Sequence, residues 1–328
     1  MSPQIPTYNF SMNRLDRAGK AFRNGTETTE DFHVLNEWRE RCSAELSNVR
    51  THVNQIIRSL EIELKREAIV SQRLKRLPTI ISKLKHFPRM QLSTMQDIAG
   101  IRVVFRNSED LSRFLARIQK GKSGFQVARD YIKEPAASGY RSIHLIKTMN
   151  SKVKVELQIR TQIQHAWATT VETSDVLFSH EGEYKRDHSI GTTRSLFFQE
   201  VSKLMAMYER GETLDQALIT TVLDLDQEIT LTKRVRDFGT ALTIVNDHLQ
   251  DKNRGSYWLI QINDGSITLS RGAETRKSDL IQQYTKLEEE GKQAVLVKVD
   301  DYESLQKAYP NYLGDSSRFI NFIQELTY

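Results

Sequence analysis

The chain has 328 residues, of which 38% are hydrophobic and 27% are charged, with 15 Gly and 6 Pro. This composition excludes collagen-like and low-complexity chains, and no apolar run reaches the roughly 18–20 residues that a membrane span needs. The N-terminus lacks the apolar core of a signal peptide. A lone cysteine, Cys42, excludes an internal disulfide, and no Cys/His cluster suggests zinc. We therefore expect a cytoplasmic protein.

Charge is distributed unevenly along the chain. Residues 1–213 contain 34 Lys/Arg and 24 Asp/Glu, a net charge of +10, whereas residues 214–328 contain 13 and 18, a net charge of −5. The asymmetry suggests two modules, the first of which handles an anion such as a nucleotide or nucleic acid. Ordinary solvated charge is the alternative, and asymmetry alone does not decide between them.

The first part of the chain has a helical pattern. Apolar residues at spacings of three and four predict helices over 12–25 and 29–67, and Pro78 is well placed to begin another that ends at Pro88. Eight Lys/Arg and one acid lie between Lys65 and Arg89. This basic helical region suits a polyphosphate, although a solvated helix face has the same composition.

From residue 100 the pattern changes to short β-branched runs alternating with helices. We predict strands over 100–106, 125–132, 141–149 and 152–160, and helices over 108–120, 162–180 and 194–211. The expected fold class is α/β, with a mixed sheet flanked by helices over residues 1–213.

The last third predicts a helical connector over 214–254 and a small α+β module over 255–328. Asn-Asp-Gly between 257–262 and 266–270 is a strong hairpin signal. A helix over 278–290, a strand over 294–299 and short helices over 301–308 and 316–326 complete the module.

Two acidic residues stand out for chemistry. Asp97 lies just before an apolar strand, where a carboxylate can hold Mg²⁺ together with substrate phosphates; a turn aspartate is the commoner reading. Glu156 shares one strand face with Gln158 and Arg160 if the alternate apolar residues face the core. That polar face either lines a cleft or is exposed decoration.

The segment Gly139 to His144 adds an aromatic and an imidazole. Tyr140 after a glycine can stack on a base, and His144 can contact phosphate or ribose or transfer a proton. A structural role for a lone histidine is the alternative.

The order of four motifs carries a resemblance. RLKRLPTIISK, DIAGIRVVF, DYIKEPAASGYRSIH and VELQIRTQIQHAWA follow one another over residues 50–180, and the chain resembles the RelA/SpoT synthetase family there. The resemblance implies a nucleotidyltransferase-like fold and Mg²⁺-dependent transfer of pyrophosphate from ATP to a ribose hydroxyl, with release of AMP.

The resemblance also implies roles for individual residues. Asp97 and Glu156 match the metal-binding and catalytic acids, the second being a metal ligand or the base for the attacking hydroxyl. Positions that match the ATP-binding set are Arg73, Lys75, Lys83 and Arg102. Positions that match the acceptor-binding set are Tyr140, His144, Gln158 and Arg160.

The loop before Tyr140 bears on the identity of the acceptor. Alarmone-synthesising members commonly have Pro-Lys before Gly-Tyr, whereas this chain has Pro135-Ala136-Ala137-Ser138. The missing lysine favours the 3′ CCA end of tRNA, whose modification would block translation, over GDP or GTP. A (p)ppGpp or (p)ppApp synthetase and an inactive nucleotide- or RNA-binding module remain alternatives.

The chain is similar to toxic small alarmone synthetases, and most to CapRel-type fusions of a toxin with an antitoxin domain. That likeness implies anti-phage defence, in which the C-terminal domain blocks the ATP site until a phage capsid protein releases it. Tyr309 and Tyr312 resemble the autoinhibitory YxxY element. A helix-entry turn with tyrosines packed on the core is the alternative.

Overall fold

The structure is a computed structural model that describes residues 10–60, 68–121, 123–178, 191–237, 256–263, 266–272, 274–290, 292–299 and 316–327. The helices are α1 (Met12–Asn24), α2 (Thr29–Ser59), α3 (Leu77–His86), α4 (Ser108–Lys120), α5 (Gln162–Leu177), α6 (Thr193–Glu209), α7 (Gln216–Ile229), α8 (Lys277–Glu289) and α9 (Ser317–Glu325). The strands are β1 (Ile69–Leu74), β2 (Ala99–Phe105), β3 (Phe125–Asp130), β4 (Ile143–Thr148), β5 (Lys154–Thr161), β6 (Ser256–Asn263), β7 (Ser266–Gly272) and β8 (Gln293–Val299).

The described strands form one sheet in the order β3-β4-β5-β2-β1-β8-β6-β7. Strands β2 and β5 are parallel, and every other neighbouring pair is antiparallel. Helices pack against this mixed sheet, which confirms the predicted α/β class. Among the described residues no helix is long and apolar enough to cross a membrane.

The main core lies on one face of the sheet, beneath α2. A capping box between Thr28 and Asp31 begins this helix, and its Trp38 is 2% exposed. Alternate residues of β2 and β5 join the same core, as the period of a strand requires; they are Ile101, Val103, Phe105, Val155, Leu157 and Ile159. The intervening residues of β2 and β5 therefore point to the opposite face.

A second core is built from helices α5, α6, α7 and α9. Phe197 and Phe198 of α6 and Phe319 of α9 are fully buried within it. The ring of Tyr140 lies against the edge of this core, which thus reaches the segment before β4.

The C-terminal hairpin continues the sheet of the preceding part. The Asn-Asp-Gly prediction of a hairpin is confirmed, since β6 and β7 pair from Tyr257↔Gly272 to Asn263↔Ser266. Strand β8 pairs on one side with β6 and on the other with β1, at Gln72↔Lys298 and Arg73↔Val297. The boundary at residue 255 stays a prediction about function, because the sheet runs across it.

Three expectations about elements need correction. The segment before Pro78 is not helical: Arg73 lies in β1, and Lys75 and Arg76 follow that strand. The long helix ends at Ser59, while 61–67 lie outside the described residues. The helical connector expected over 214–254 is broken at Thr230, whose φ of 52° is left-handed, and a new helical stretch covers 231–237. Residues 238–255 and the expected helix 301–308 lie outside the described part.

Candidate active site

The sheet face opposite the main core gathers the polar residues singled out by sequence. Glu156, Gln158 and Arg160 alternate with core residues of β5, as predicted, and Arg102 lies across from Gln158 on β2. His144 pairs with Gln158 from the other side. Because directly paired residues share a face, β4, β5 and β2 present these side chains together.

One half of this face is organised around Asp97. Its Oδ2 accepts from Lys75 Nζ and from Lys83 Nζ, each at 2.9 Å. Lys75 follows β1 and is held by a backbone bond from its N–H to Ile98 O, whereas Lys83 reaches in from α3. A paired strand end and a helix thus bring two ammonium groups to one carboxylate.

The electrostatics of Asp97 follow from this arrangement. Burial acts to raise the pKa of Asp97, but Lys75 and Lys83 outweigh it and hold the pKa at about 2. Burial lowers the pKa of Lys75 despite the nearby carboxylate. Asp97 is therefore ionised at neutral pH, with cations beside it that can move to an anionic ligand.

The residues present fit a magnesium ion. Oδ1 of Asp97 is buried and has no hydrogen-bond partner, so it is a hard oxygen left available beside the lysines. The described residues contain no group of three or more His, Cys, Asp or Glu side chains that could hold a metal by themselves. Mg²⁺ is usually held by one or two carboxylates plus substrate phosphates. Asp97 would hold it, and Glu156 is the second acid on the neighbouring strand.

The other half of the face is a hydrogen-bonded row that ends at Tyr140. Gln158 Nε2 donates to Glu156 Oε2 at 2.8 Å, and His144 Nδ1 lies 3.0 Å from Glu156 Oε1. The Tyr140 hydroxyl lies 3.0 Å from His144 Nε2. Both imidazole nitrogens are therefore engaged, one by an acid and one by a phenol.

Burial and hydrogen bonding act in opposite directions on His144. Burial acts to lower the pKa of His144, but its contacts with Glu156 and Tyr140 raise it to about 9. In turn, burial acts to raise the pKa of Tyr140, and His144 with Arg160 brings it below its usual value. At neutral pH His144 is a cation that binds the Glu156 carboxylate.

Arginines lie between the two halves. Arg160 is 3% exposed, and burial together with the adjacent Arg102 and Arg73 lowers the pKa of Arg160, while Tyr140 opposes the shift. Arg73 also acts on Lys75 electrostatically. Arg73 thus acts electrostatically on a group in each half, on Lys75 beside Asp97 and on Arg160 beside Tyr140.

Sequence reasoning missed several residues that support the site. Tyr131 contacts the rings of Tyr140 and His144, with centroids 5.6 and 5.3 Å apart. The sequence could have indicated Tyr131 as a site residue, because it lies in the DYIK segment at the end of a predicted strand. Ser202 of α6, which contacts Gly139, has no local signal because it is 63 residues away.

The structure brings together ten of the residues predicted for the site, on or beside one sheet face. Tyr309 and Tyr312 lie outside the described residues.

The polar face of this mixed sheet carries lysines paired with a carboxylate, arginines and a second carboxylate, a set of charges that is suited to phosphate groups. Residues 72–187 match the family model described as "Region found in RelA / SpoT proteins". The match covers less than half of the chain, so residues 72–187 are similar to RelA/SpoT proteins.

Two curated proteins are similar to part of this chain. "GTP pyrophosphokinase YjbM" of Bacillus subtilis is 33% identical over 145 residues, covering 41% of this chain and 64% of that protein. The protein Rv1366 of Mycobacterium tuberculosis is 30% identical over 171 residues, covering 50% and 58%. The chain thus spans less than two thirds of the length of these relatives.

Among solved structures, the small alarmone synthetase 1 of Bacillus subtilis bound to its product pppGpp is 28% identical. The similarity covers 52% of this chain and 90% of that one, with a TM-score of 0.41.

Proposed function

We propose that the protein transfers pyrophosphate from ATP to a ribose 3′-hydroxyl in the presence of Mg²⁺. The observation that carries this proposal is the pair of clusters on one sheet face: Asp97 with two lysines, and Glu156 with His144 and Tyr140. The first suits a metal-bound polyphosphate, and the second suits a nucleoside with a hydroxyl to deprotonate. The match over residues 72–187 supports the same activity.

On the donor side, Arg73, Lys75, Lys83 and Arg102 bind the ATP phosphates. Asp97 would hold a metal ion, and that ion would supply positive charge to neutralise what develops on the phosphate oxygens. Lys75 and Lys83 exchange a carboxylate partner for phosphate oxygens, so no unpaired cation is left buried. Catalysis by these groups consists of positioning and electrostatic stabilisation.

On the acceptor side, Tyr140 stacks on the base, while His144, Gln158 and Arg160 orient the sugar and its phosphate. Glu156 takes the proton of the 3′-hydroxyl while the hydroxyl oxygen bonds to the β-phosphorus of ATP. The bond from that phosphorus to the oxygen bridging it to the α-phosphorus breaks, and AMP leaves. Held in place, the two substrates react with the advantage of proximity.

The acceptor we favour is the 3′ CCA end of tRNA. Residues 136–140 form a tight turn, with Gly139 N–H donating to Ala136 O at 2.8 Å, and Ala136 supplies no cation for a 5′-polyphosphate. The net charge of +10 over residues 1–213 suits a nucleic-acid backbone. Modification of that end would block translation.

We also propose that the C-terminal region inhibits the site and that a phage capsid protein releases it. Support comes from the position of β8, which pairs with β1 at Arg73, a residue of the proposed donor site. The net charge of −5 over residues 214–328 complements the net charge of +10 over residues 1–213. Tyr309 and Tyr312 are the residues proposed to block the ATP site.

A second candidate is a (p)ppGpp synthetase with GDP or GTP as acceptor. The observation that favours it is the printed name of the relative YjbM, a GTP pyrophosphokinase that is 33% identical. The site geometry is compatible with either acceptor, because both present a base and a 3′-hydroxyl.

The test is an acceptor panel with γ-labelled ATP, offered to the full chain and to Tyr312→Ala. Label on the 3′ end of tRNA supports the favoured acceptor, and label on GDP or GTP alone supports the second candidate. A rise in rate with Tyr312→Ala supports inhibition, whereas lower stability without a gain in rate marks that tyrosine as a core residue. Absence of transfer to every acceptor from both proteins contradicts the proposed activity and leaves an inactive binding module.

A further inference from the structure

We propose that the C-terminal helix α9 positions the acceptor loop, residues 136–142, and so is required by the site as well as belonging to the region proposed to inhibit it. The proposal rests on the proposed function for its kinetic test. Its physical basis is a continuous set of contacts that runs from α9 through α6 to Gly139 and Tyr140.

The first contacts join α9 to α6 through aromatic rings. Phe319 is fully buried and packs on Phe197 and Phe198, each with centroids 6.2 Å apart. Phe198 also carries the carbonyl that accepts from Trp167 Nε1 at 2.9 Å. Because Phe319 is buried against α6, a smaller side chain at this position would change how α6 packs.

The next contacts join α6 to the acceptor loop through Ser202, one helical turn beyond Phe198. Ser202 Oγ donates to Gly139 O at 2.5 Å and accepts from Arg141 Nε at 3.1 Å. One hydroxyl thus holds the loop on both sides of Tyr140. A shift of α6 would pass directly to the residues that flank the proposed base-stacking ring.

The acceptor loop is packed so closely against α6 that it would move with the helix. Gly139 has a φ of +90°, and a Cβ placed on it would lie 2.9 Å from the Ser202 Cβ and 3.3 Å from the Phe198 carbonyl oxygen. Tyr140 then contacts His144, which binds Glu156. The position of α9 is therefore coupled to the acceptor half of the site, while Asp97 and the lysines lie on other elements.

The kinetic test uses the full chain with Phe319→Leu, and Gln324→Ala on the exposed side of α9 as the matched control. Initial rates are measured with tRNA or GTP, whichever the unaltered protein labels. We expect Phe319→Leu to raise the KM for that acceptor about threefold to tenfold, with the KM for ATP within about twofold. Gln324→Ala should leave both constants unchanged.

A double-mutant cycle tests the route. Ser202→Ala removes the hydroxyl that joins α6 to the loop, so its effect on acceptor KM should overlap with that of Phe319→Leu rather than multiply it. Additive effects, an equal rise in both KM values, or a faster Phe319→Leu enzyme with unchanged acceptor KM would overturn the proposal.

Hydrogen exchange provides a readout that does not need activity. Amides of residues 136–142 should exchange faster in Phe319→Leu than in the control. The reason is that the hydrogen bond from Gly139 N–H to Ala136 O depends on how the loop packs against α6. Unchanged exchange there would refute the coupling. Absence of transfer by the unaltered protein would instead count against the proposed function and leave this arm to decide.

Discussion

His144 links the two functional parts of the acceptor half at the level of single residues. One nitrogen binds Glu156, the proposed base, and the other binds Tyr140, the proposed stacking residue. Glu156 is thus held by His144 at one carboxylate oxygen, while Gln158 Nε2 donates to the other. The groups around this imidazole are Tyr140 and Glu156, with the ring of Tyr131 at its edge.

The raised pKa of His144 predicts a pH-dependent stability. A protonated histidine that is bound more tightly in the folded state stabilises below the unfolded pKa of about 6.5, and this contribution disappears as pH rises through about 9. We expect the unfolding free energy to fall on the order of 2 kcal/mol over that window. Urea unfolding from pH 6 to 9.5 measures it, and His144→Gln should remove that part of the slope. Equal slopes in the two proteins would contradict the assignment.

Substitution of Asp97 should change the rate of transfer, whereas titration of His144 changes stability. Asp97→Asn keeps the shape but removes the charge that would hold Mg²⁺, so transfer should fall by at least about a hundredfold. Glu109→Gln on the exposed side of α4 is the control, since it also removes one acidic charge. Initial rates over a Mg²⁺ titration provide the measurement. A near-normal rate in Asp97→Asn would remove this residue from the site.

At this scale, sequence predicts which side chains lie together only when the residues are close along the chain. The face shared by Glu156, Gln158 and Arg160 follows from the period of one strand, and sequence predicted it. The ion pairs from Lys75 and Lys83 to Asp97 need β1, β2 and α3 to be assembled first. Only the family resemblance placed those residues together.

At the scale of elements, β1 shows why local pattern was insufficient. Its sequence, IVSQRL, precedes a run of basic residues, and the dense charge favoured a helix face. The strand forms because β2 and β8 lie on either side of it, so both edges of its backbone are hydrogen-bonded. Such long-range pairing overrides local propensity and is not visible in a short window.

The acceptor loop gives the prediction at this scale. Gly139→Ala and Gly191→Ala both place a side chain at a φ near +90°, but among the described residues only Gly139 has neighbours within 4 Å of that side chain. The shared backbone strain costs about 1–3 kcal/mol in each, and crowding against Ser202 adds to it at Gly139. We expect a lower melting temperature for Gly139→Ala than for Gly191→Ala, measured by calorimetry. Equal losses would show that the close packing of loop on α6 does not matter.

For the whole molecule, the C-terminal region is connected at two separate places. Strand β8 extends the sheet beside β1, and α9 completes the core of α5, α6 and α7. The sequence predicted the small strands and helix of this region but not their attachment, because both partners lie far away in the chain. Because of these attachments, the C-terminal region, which we propose to inhibit the site, cannot be removed without exposing buried surface.

Deletion of residues 316–328 tests that dependence. The helix buries four large side chains, Phe319, Ile320, Phe322 and Ile323, each contributing roughly 1.5–3 kcal/mol. The loss is comparable with the total stability of a typical domain, so we expect a large drop in melting temperature and aggregation. A synthetic peptide of residues 316–328 should restore part of it. A stable truncated protein with an unchanged unfolding curve would contradict the packing described.

The fate of ATP labelled at different phosphates distinguishes transfer of a pyrophosphoryl group from hydrolysis. With ATP labelled at the α-phosphate, we expect labelled AMP, formed one for one with acceptor that gains label from γ-labelled ATP. Asp97→Asn should form far less of either product. Labelled ADP with free orthophosphate, or AMP with free pyrophosphate and an unmodified acceptor, would rule out the proposed transfer.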